Sequence, residues 1–144
     1  MDYCSDFKYD LNFGIGQEVE IGEVLKGSTF EVKYDRMAVK TGNLFFERES
    51  RGKLSGVMTS QADYYVYCSV GGIDIHMYKT SDLKMMVEEY IGTEYDIVGG
   101  DNNTSKGILL SAQMTQTWMS KKAIQDEKIR QKNVILESLN KNKK

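Results

Sequence analysis

Hydrophobic and polar residues alternate along four stretches of the chain, and this period of two predicts β-strands. The first two strands are expected from Ser28 to Tyr34 and from Asn43 to Arg48, separated by the break KTGN. The next two, YYVYCSV at 64–70 and IDIHMYK at 73–79, flank a pair of glycines and predict the clearest hairpin of the chain.

A spacing near 3.6 residues predicts helices elsewhere. The segment QEVEIGEVLKG mixes apolar and acidic residues and ends at Gly27, while TSDLKMMVEEYIG has an N-cap in Thr80 or Ser81 and ends at Gly92. A third helix is expected from Lys121 onward, and the segment ILLSAQMTQTW before it fits a strand or a helix. The polar segment VGGDNNTSKG is expected to be a loop. These elements predict an α/β or α+β domain with a central mixed β-sheet flanked by helices.

Length and composition narrow the class of protein. At 144 residues the chain fits one domain, at 1–120, followed by a basic C-terminal helix or tail at 121–144. Its two cysteines, Cys4 and Cys68, form no CxxC motif, so a reducing, cytoplasmic compartment is expected. Because no apolar run approaches the roughly 20 residues of a membrane span, no contact with a membrane is expected.

The net charge of −2 conceals an uneven distribution. From Ser120 to the end, eight Lys or Arg residues face three acids, which gives +5 and leaves −7 for the rest of the chain. A cationic segment on an acidic body suits proteins that contact polyanions, although a solvated, Lys-rich helix is the simpler interpretation of the segment taken alone. The residues expected to contact DNA are Lys121, Lys122, Lys128, Arg130 and Lys132.

Charged residues occupy odd-numbered positions of the first two predicted strands. They are Glu31, Lys33, Asp35, Glu47 and Glu49. If these strands are neighbours, carboxylates from both meet across one ladder, and such carboxylates repel one another unless a hard divalent cation neutralises them. Mg²⁺ or Mn²⁺ would also activate water for phosphodiester hydrolysis. The alternative is a hairpin with one charged face in water.

These residues resemble the PD-(D/E)xK nuclease superfamily, in particular its small phage-type, Holliday-junction-resolvase-like members. The resemblance is carried by EVKYDRMAVKTGNLFFERES and GKLSGVMTSQADYYVY and covers roughly Gln17 to Tyr78. It implies a restriction-endonuclease-like fold and a metal-dependent endonuclease that cuts duplex or branched DNA, in the host cytoplasm if a phage encodes the chain. Enzymes that cut two strands symmetrically usually work as two-fold dimers, so a homodimer is expected.

The resemblance also implies roles for individual acids. Glu18 or Glu20, on the helix before the first strand, could supply a further acid, and the resemblance makes Glu18 the helix acid of the site. Asp35 matches the metal-binding aspartate, and Glu47 matches the first acid of the triplet on the following strand. Glu49 stands where the superfamily usually has a lysine that orients the attacking water.

Because Glu49 replaces the usual lysine, the residue that would supply an amine to orient the attacking water is open. Lys33 on the neighbouring strand or Lys53 in the following loop could supply it, or Glu49 acts in its own right. A second registration takes the three residues that begin at Glu31 and end at Lys33 as the triplet, and it then needs Asp10 as the upstream acid.

Two functions other than a nuclease fit the same sequence. The chain could be a metal-free DNA-binding or interaction module on the same fold, with structural acids and a tail that provides the affinity. It could also be a phage accessory protein whose acidic body imitates DNA and contacts a basic host protein.

Overall fold

The computed structural model describes residues 18, 21–69 and 74–143. Its strands are β1 (Phe30–Asp35), β2 (Asn43–Ser50), β3 (Lys53–Leu54), β4 (Tyr64–Ser69), β5 (Ile75–Lys79), β6 (Asp96–Gly99) and β7 (Ser105–Ser111). Its helices are α1 (Ala38–Thr41), α2 (Thr80–Tyr90) and α3 (Ala112–Lys141), with short 3₁₀ turns at Gly56–Met58 and Asp101–Asn103. Glu18 and residues 21–25 are helical as well, as the first predicted helix requires.

The predicted α+β class is confirmed. The strands form two separate sheets, where one central sheet was expected. The first sheet is mixed, with the order β1-β4-β5, in which β1 runs parallel to β4 and β5 antiparallel to it. The second sheet has the order β3-β2-β7-β6 and is antiparallel throughout. The predicted hairpin is confirmed by the β4–β5 pairing. The end of β6 and the start of β7 lie within the segment that was expected to be a loop.

The expectation that the first two strands are neighbours is wrong. β1 pairs with β4, with Lys33 opposite Tyr67, whereas β2 pairs with β3 and β7. The break between β1 and β2 is a helical turn, α1, and the chain leaves it through Gly42 in the left-handed conformation (φ +70°). This connection is longer than a two-residue hairpin turn, and it carries the chain from the first sheet to the second.

The core lies between the two sheets and under α2. Its fully or nearly fully buried members include Tyr65, Tyr67 and Tyr78 of the first sheet, Leu44, Phe46, Ile108 and Leu110 of the second, and Leu83, Met86 and Val87 of α2. The Phe46 ring meets the Tyr67 ring edge to face, with centroids 5.1 Å apart. Each such side chain contributes roughly 1.5–3 kcal/mol by leaving water.

The alternation along β1 has the opposite sense to the usual one. Phe30, Val32 and Tyr34 are exposed, at 45%, 60% and 59% of their surface. The odd-numbered residues therefore lie on the face that β1 shares with Tyr65 and Tyr67, because successive side chains of a strand point to opposite faces. This places the charged set of β1 toward the second sheet.

The C-terminal helix α3 is 30 residues long and begins earlier than predicted. Its N-cap is Ser111, whose side chain accepts a hydrogen bond from the Met114 backbone N–H, so the ambiguous segment is a strand followed by a helix. Met114, Trp118 and Met119 pack against the core, whereas every residue from 123 to 141 is exposed. None of the helices in the described ranges is long and apolar enough to cross a membrane.

Candidate functional site

A cleft of about 580 Å³ is lined by residues of both sheets. Lys33 and Asp35 reach it from β1, Glu47 from β2, and Tyr65 and Tyr67 from β4. Three residues that the sequence predicted for one site therefore share one cleft, although their strands do not pair. From β2, Glu47 shares the cleft with Asn43 and Phe45, which lie on the same face of that strand.

Asp35 is oriented by the turn that follows it. Its Oδ1 accepts hydrogen bonds from the backbone N–H groups of Met37 (2.8 Å) and Ala38 (3.1 Å), which satisfies donors at the start of α1. Within the part of the chain that the structure describes, Oδ2 has no hydrogen-bond partner. One carboxylate oxygen is thus structural, and the other is available to a ligand.

Glu47 is held by two serines from different parts of the chain. Its Oε1 accepts a hydrogen bond from Ser55 Oγ at 2.5 Å, and its Oε2 accepts one from Ser105 Oγ at 2.8 Å. A carboxylate has about four acceptor positions, so both oxygens retain capacity for a cation. Neither serine was predicted from the sequence. Ser55 stands beside the glycine of an SG turn signal, but nothing in the sequence connects Ser105 to Glu47.

The expectation that Glu47 and Glu49 share a face of β2 is wrong. Glu47 is opposite Gly107, but Glu49 is opposite Lys106, and the register of the ladder shifts between the two acids. This β-bulge adds one residue to β2 and so turns Glu49 to the other side of the sheet. There it lies 3.5 Å from Lys106 and 3.3 Å from Arg48.

Lys33 and Lys53, the two candidates for the lysine that the superfamily usually has at the position of Glu49, lie in different places. Lys33 lines the cleft, and its Nζ lies 3.9 Å from Oε1 of Glu31, whose Oε2 accepts a hydrogen bond from Ser60 Oγ at 2.5 Å. Lys53 is exposed on the short edge strand β3, opposite Ser50, and is not part of the cleft. Lys33 is therefore the amine that accompanies Asp35 and Glu47.

The helix acid is not placed at the cleft. Glu18 is exposed in a helical position and does not line it, while Glu20 and Asp10 lie outside the described residues. Across residues 18, 21–69 and 74–143, no three His, Cys, Asp or Glu side chains converge as a metal cluster. Asp35, Glu47 and Asp101 line the cleft without forming such a cluster. Mg²⁺ needs no such cluster, because proteins commonly bind it through one or two carboxylates together with substrate phosphates.

Tyr65 and Tyr67 of the cleft remain protonated over a wide pH range. Burial raises the pKa of Tyr65 far above its usual value, and the negative charges of Glu31 and Glu47 raise it further. Burial is also the largest cause of the raised pKa of Tyr67, whose hydroxyl donates to the Phe45 carbonyl at 3.1 Å. Both side chains are therefore neutral hydrogen-bonding groups at neutral pH.

The five residues predicted to contact DNA all lie on α3 but differ in their surroundings. Lys122 pairs with Asp126 and Arg130 pairs with Glu127, within one turn of the helix in each case. Lys121, Lys128 and Lys132 form no ion pair in the described part of the chain. A role in DNA binding stays a prediction for all five.

Comparison with known proteins does not place this chain in a family. No family model, curated protein or solved structure matches it. The likeness to PD-(D/E)xK nucleases therefore remains a resemblance carried by residues of the sequence.

Proposed function

We propose that the protein is a metal-dependent endonuclease that hydrolyses phosphodiester bonds in DNA. The observation that carries this proposal is the shared cleft, where Lys33, Asp35 and Glu47 are lining residues. Asp101 and Arg36 line the same cleft. Carboxylates that can hold a divalent metal and a cation that can stabilise negative charge on the phosphate are the groups that phosphodiester hydrolysis uses. The homodimer expected from the sequence belongs to the same proposal.

Each residue of the cleft has a role in this proposal. Asp35 and Glu47 would hold Mg²⁺ or Mn²⁺, which neutralises charge on the phosphate and lowers the pKa of a bound water. The turn at α1 orients Asp35, and two serines orient Glu47, so neither carboxylate must be ordered when the substrate binds. The Lys33 ammonium would donate to the attacking water or to a phosphate oxygen as negative charge develops there.

Cleavage of labelled duplex and branched DNA tests the assignment. We expect cutting that requires Mg²⁺ or Mn²⁺ and stops with EDTA. Asp35→Asn and Glu47→Gln should abolish it while leaving the fold intact, because each amide keeps the shape of the acid and can preserve hydrogen bonds to its neighbours. Glu49→Gln is the matched control and should cut normally, since its side chain lies on the other side of β2. Unchanged cutting by Asp35→Asn would overturn the proposal.

The two lysines provide a second comparison. Lys33→Ala should slow cleavage at least tenfold, which corresponds to about 1.4 kcal/mol of barrier. Lys53→Ala should leave the rate unchanged, because this side chain is exposed on β3, away from the cleft. Equal rates for both variants would remove Lys33 from the mechanism.

A module without catalytic activity is the second candidate function. The hydrogen bonds of the acids favour it, because Asp35 caps a turn and Glu47 ties Ser55 to Ser105. Acids with these roles would be retained for stability alone. In that case no DNA would be cut with any divalent metal, and Glu47→Gln would change the melting temperature without changing any binding.

A further inference from the structure

The outer part of α3 exposes many large apolar side chains. Every residue from 123 to 141 is exposed, so no part of residues 18, 21–69 and 74–143 covers this part of the helix. Six apolar residues there are 48–58% exposed: Ile124, Ile129, Val134, Ile135, Leu136 and Leu139. A soluble helix rarely presents so many aliphatic groups without a partner that covers them.

These side chains are concentrated on one side of the helix. At 3.6 residues per turn, all except Val134 lie within an arc of about 140°. The same arc contains Lys121, Lys128 and Lys132, and all three acids of the helix beyond Ser120 lie outside it. We name these five apolar residues and three lysines the lysine–aliphatic stripe.

The opposite side of the helix is electrically balanced. Lys122 lies 2.5 Å from Asp126, and Arg130 lies 2.6 Å from Glu127. The remaining acid, Glu137, and Lys141 are on the same side and contribute one charge each. The positive charge that α3 carries is therefore located on the stripe.

The stripe continues into a groove against the body. This groove, of about 530 Å³, is lined by Met114, Trp118 and Lys121 of α3 and by Glu89 and Tyr90 of α2. The Trp118 indole N–H donates to Glu89 Oε2 at 2.9 Å, which holds the ring in the wall of the groove. Because Met114 and Trp118 fall in the same arc, groove and stripe form one surface roughly 40 Å long.

The arrangement of charge selects the chemistry of the partner. On a helical wheel with Ile124 at 0°, the three lysines lie at about 40–80°, in the middle of the arc. Aliphatic residues lie on both sides of them. A bilayer that covered the aliphatic groups would also have to bury the ammonium groups between them. A nucleic acid would pair with the lysines but leave the aliphatic groups in water. A second copy of the helix would place its own lysines against these lysines, and like charges repel. A partner that offers carboxylates between apolar side chains avoids all three costs.

We propose that the groove and the lysine–aliphatic stripe bind an acidic amphipathic helix of a partner protein. Such a helix would place leucine-type side chains on Ile129, Ile135 and Leu136 and carboxylates on Lys128 and Lys132. Helix pairs of this kind combine apolar contact along a seam with charge pairing between the helices. The surface does not include the cleft, so the peptide test does not depend on nuclease activity. Lys121, Lys128 and Lys132 are also predicted to contact DNA, and the DNA arm of the test below decides between the two roles.

Fluorescence anisotropy on the full chain tests this assignment. The probe is a labelled synthetic helix with Leu and Glu on one face, and the reference peptide has Gln in place of every Glu. We expect the Glu peptide to bind at least tenfold more tightly than the Gln peptide and to lose affinity with added salt. Binding of the Glu peptide weaker than about 100 µM would overturn the proposal.

Matched variants locate the site on the helix. Ile135→Gln and Lys132→Gln should each weaken the Glu peptide at least tenfold. Val134→Gln and Lys141→Gln change the same residue types outside the stripe and should bind as the parent does, with circular dichroism confirming equal helix content. Equal losses for Ile135→Gln and Val134→Gln would show that no stripe exists.

Duplex DNA and vesicles of phosphatidylserine and phosphatidylcholine form the other two arms. The proposal expects both to bind more weakly than the Glu peptide and to be insensitive to Ile135→Gln. Tighter binding of DNA that depends on Lys132 but not on Ile135 would assign the surface to nucleic acid. Tighter binding of vesicles that depends on both would assign it to a membrane, and either result overturns the proposal.

Discussion

Single residues of this chain hold the candidate site in place, and Gly56 is the clearest case. Its backbone has φ of +57°, and a Cβ atom there would collide with the Glu47 carbonyl oxygen and lie 2.8 Å from Glu47 Cβ. Two features require glycine at this position: the left-handed conformation and the close approach of two backbone segments. The loop that carries Ser55 can therefore reach Glu47 only with glycine beside it.

Gly56→Ala should be much more destabilising than Gly52→Ala. Gly52 also has a positive φ, +77°, but nothing lies within 4 Å of its added Cβ. The substitution at Gly52 should cost about 1 kcal/mol from conformation alone, and the one at Gly56 about 2 kcal/mol more from the collision. Urea unfolding of the two variants measures the difference, and equal free energies would contradict the close approach.

At the scale of secondary-structure elements, the bulge in β2 places Glu47 and Glu49 on opposite sides of the second sheet. Before the bulge, Glu47 faces the cleft. After it, Glu49 faces Lys106. Arg48, at the bulge, donates two hydrogen bonds of 2.9 Å to the carboxylate of Asp96 on β6. This pair connects β2 to β6 across β7 and holds the bulge in position.

Asp96→Ala should lower the free energy of unfolding by about 2–4 kcal/mol, because it leaves a mostly buried guanidinium with only the weaker Glu49 contact. Exposed Glu94→Ala is the control and should change stability by less than about 0.5 kcal/mol.

The Arg48 hydrogen bonds lower the pKa of Asp96 below its ordinary value of 3.8. The contribution of Asp96 is thus present above that value and lost as the pH falls through the lower, folded-state pKa. A parent and variant with the same acid unfolding curve would contradict this role.

At the scale of the whole molecule, the two sheets meet through tyrosines in a mainly apolar core. Burial raises the pKa of Tyr65, Tyr67 and Tyr78, and it raises that of Tyr78 to about 12 from the ordinary value of 10. A raised pKa means that the folded state favours the neutral phenol. The unfolded chain ionises first, so stability is complete below pH 10 and falls as the pH rises through about 12.

Tyr78→Phe should reduce this alkaline loss of stability. The Tyr78 hydroxyl has no hydrogen-bond partner in the described part of the chain. Its removal should therefore leave stability at pH 7 equal or slightly higher, since no bond is lost and a buried polar group disappears. Urea unfolding at pH 7, 9, 10 and 11 provides the comparison with the parent. A parallel decline of both proteins above pH 10 would contradict the assigned role of Tyr78.

The sequence by itself determined the local elements, because their signals are local. The hairpin of β4 and β5, helix α2 with Leu83, Met86 and Val87 on its buried side, and the exposed basic end of α3 follow from period and capping residues close in the chain. The inclusion of Lys33, Asp35 and Glu47 in one site was also predicted, and the three line one cleft. Lys33 and Asp35 reach the cleft from the face of β1 opposite its exposed apolar residues, and Glu47 reaches it from the face of β2 opposite the buried Leu44 and Phe46.

Only the tertiary structure decided how these elements meet. The alternation of β1 does not say which face is covered, and its exposed Phe30, Val32 and Tyr34 result from the position of β1 beside β4. The bulge that turns Glu49 away and the Ser105 hydroxyl that holds Glu47 depend on β7, about 60 residues further along the chain. Pairing partners and register over such separations are set by the packing of the whole core, and a period of two along one strand carries no information about them.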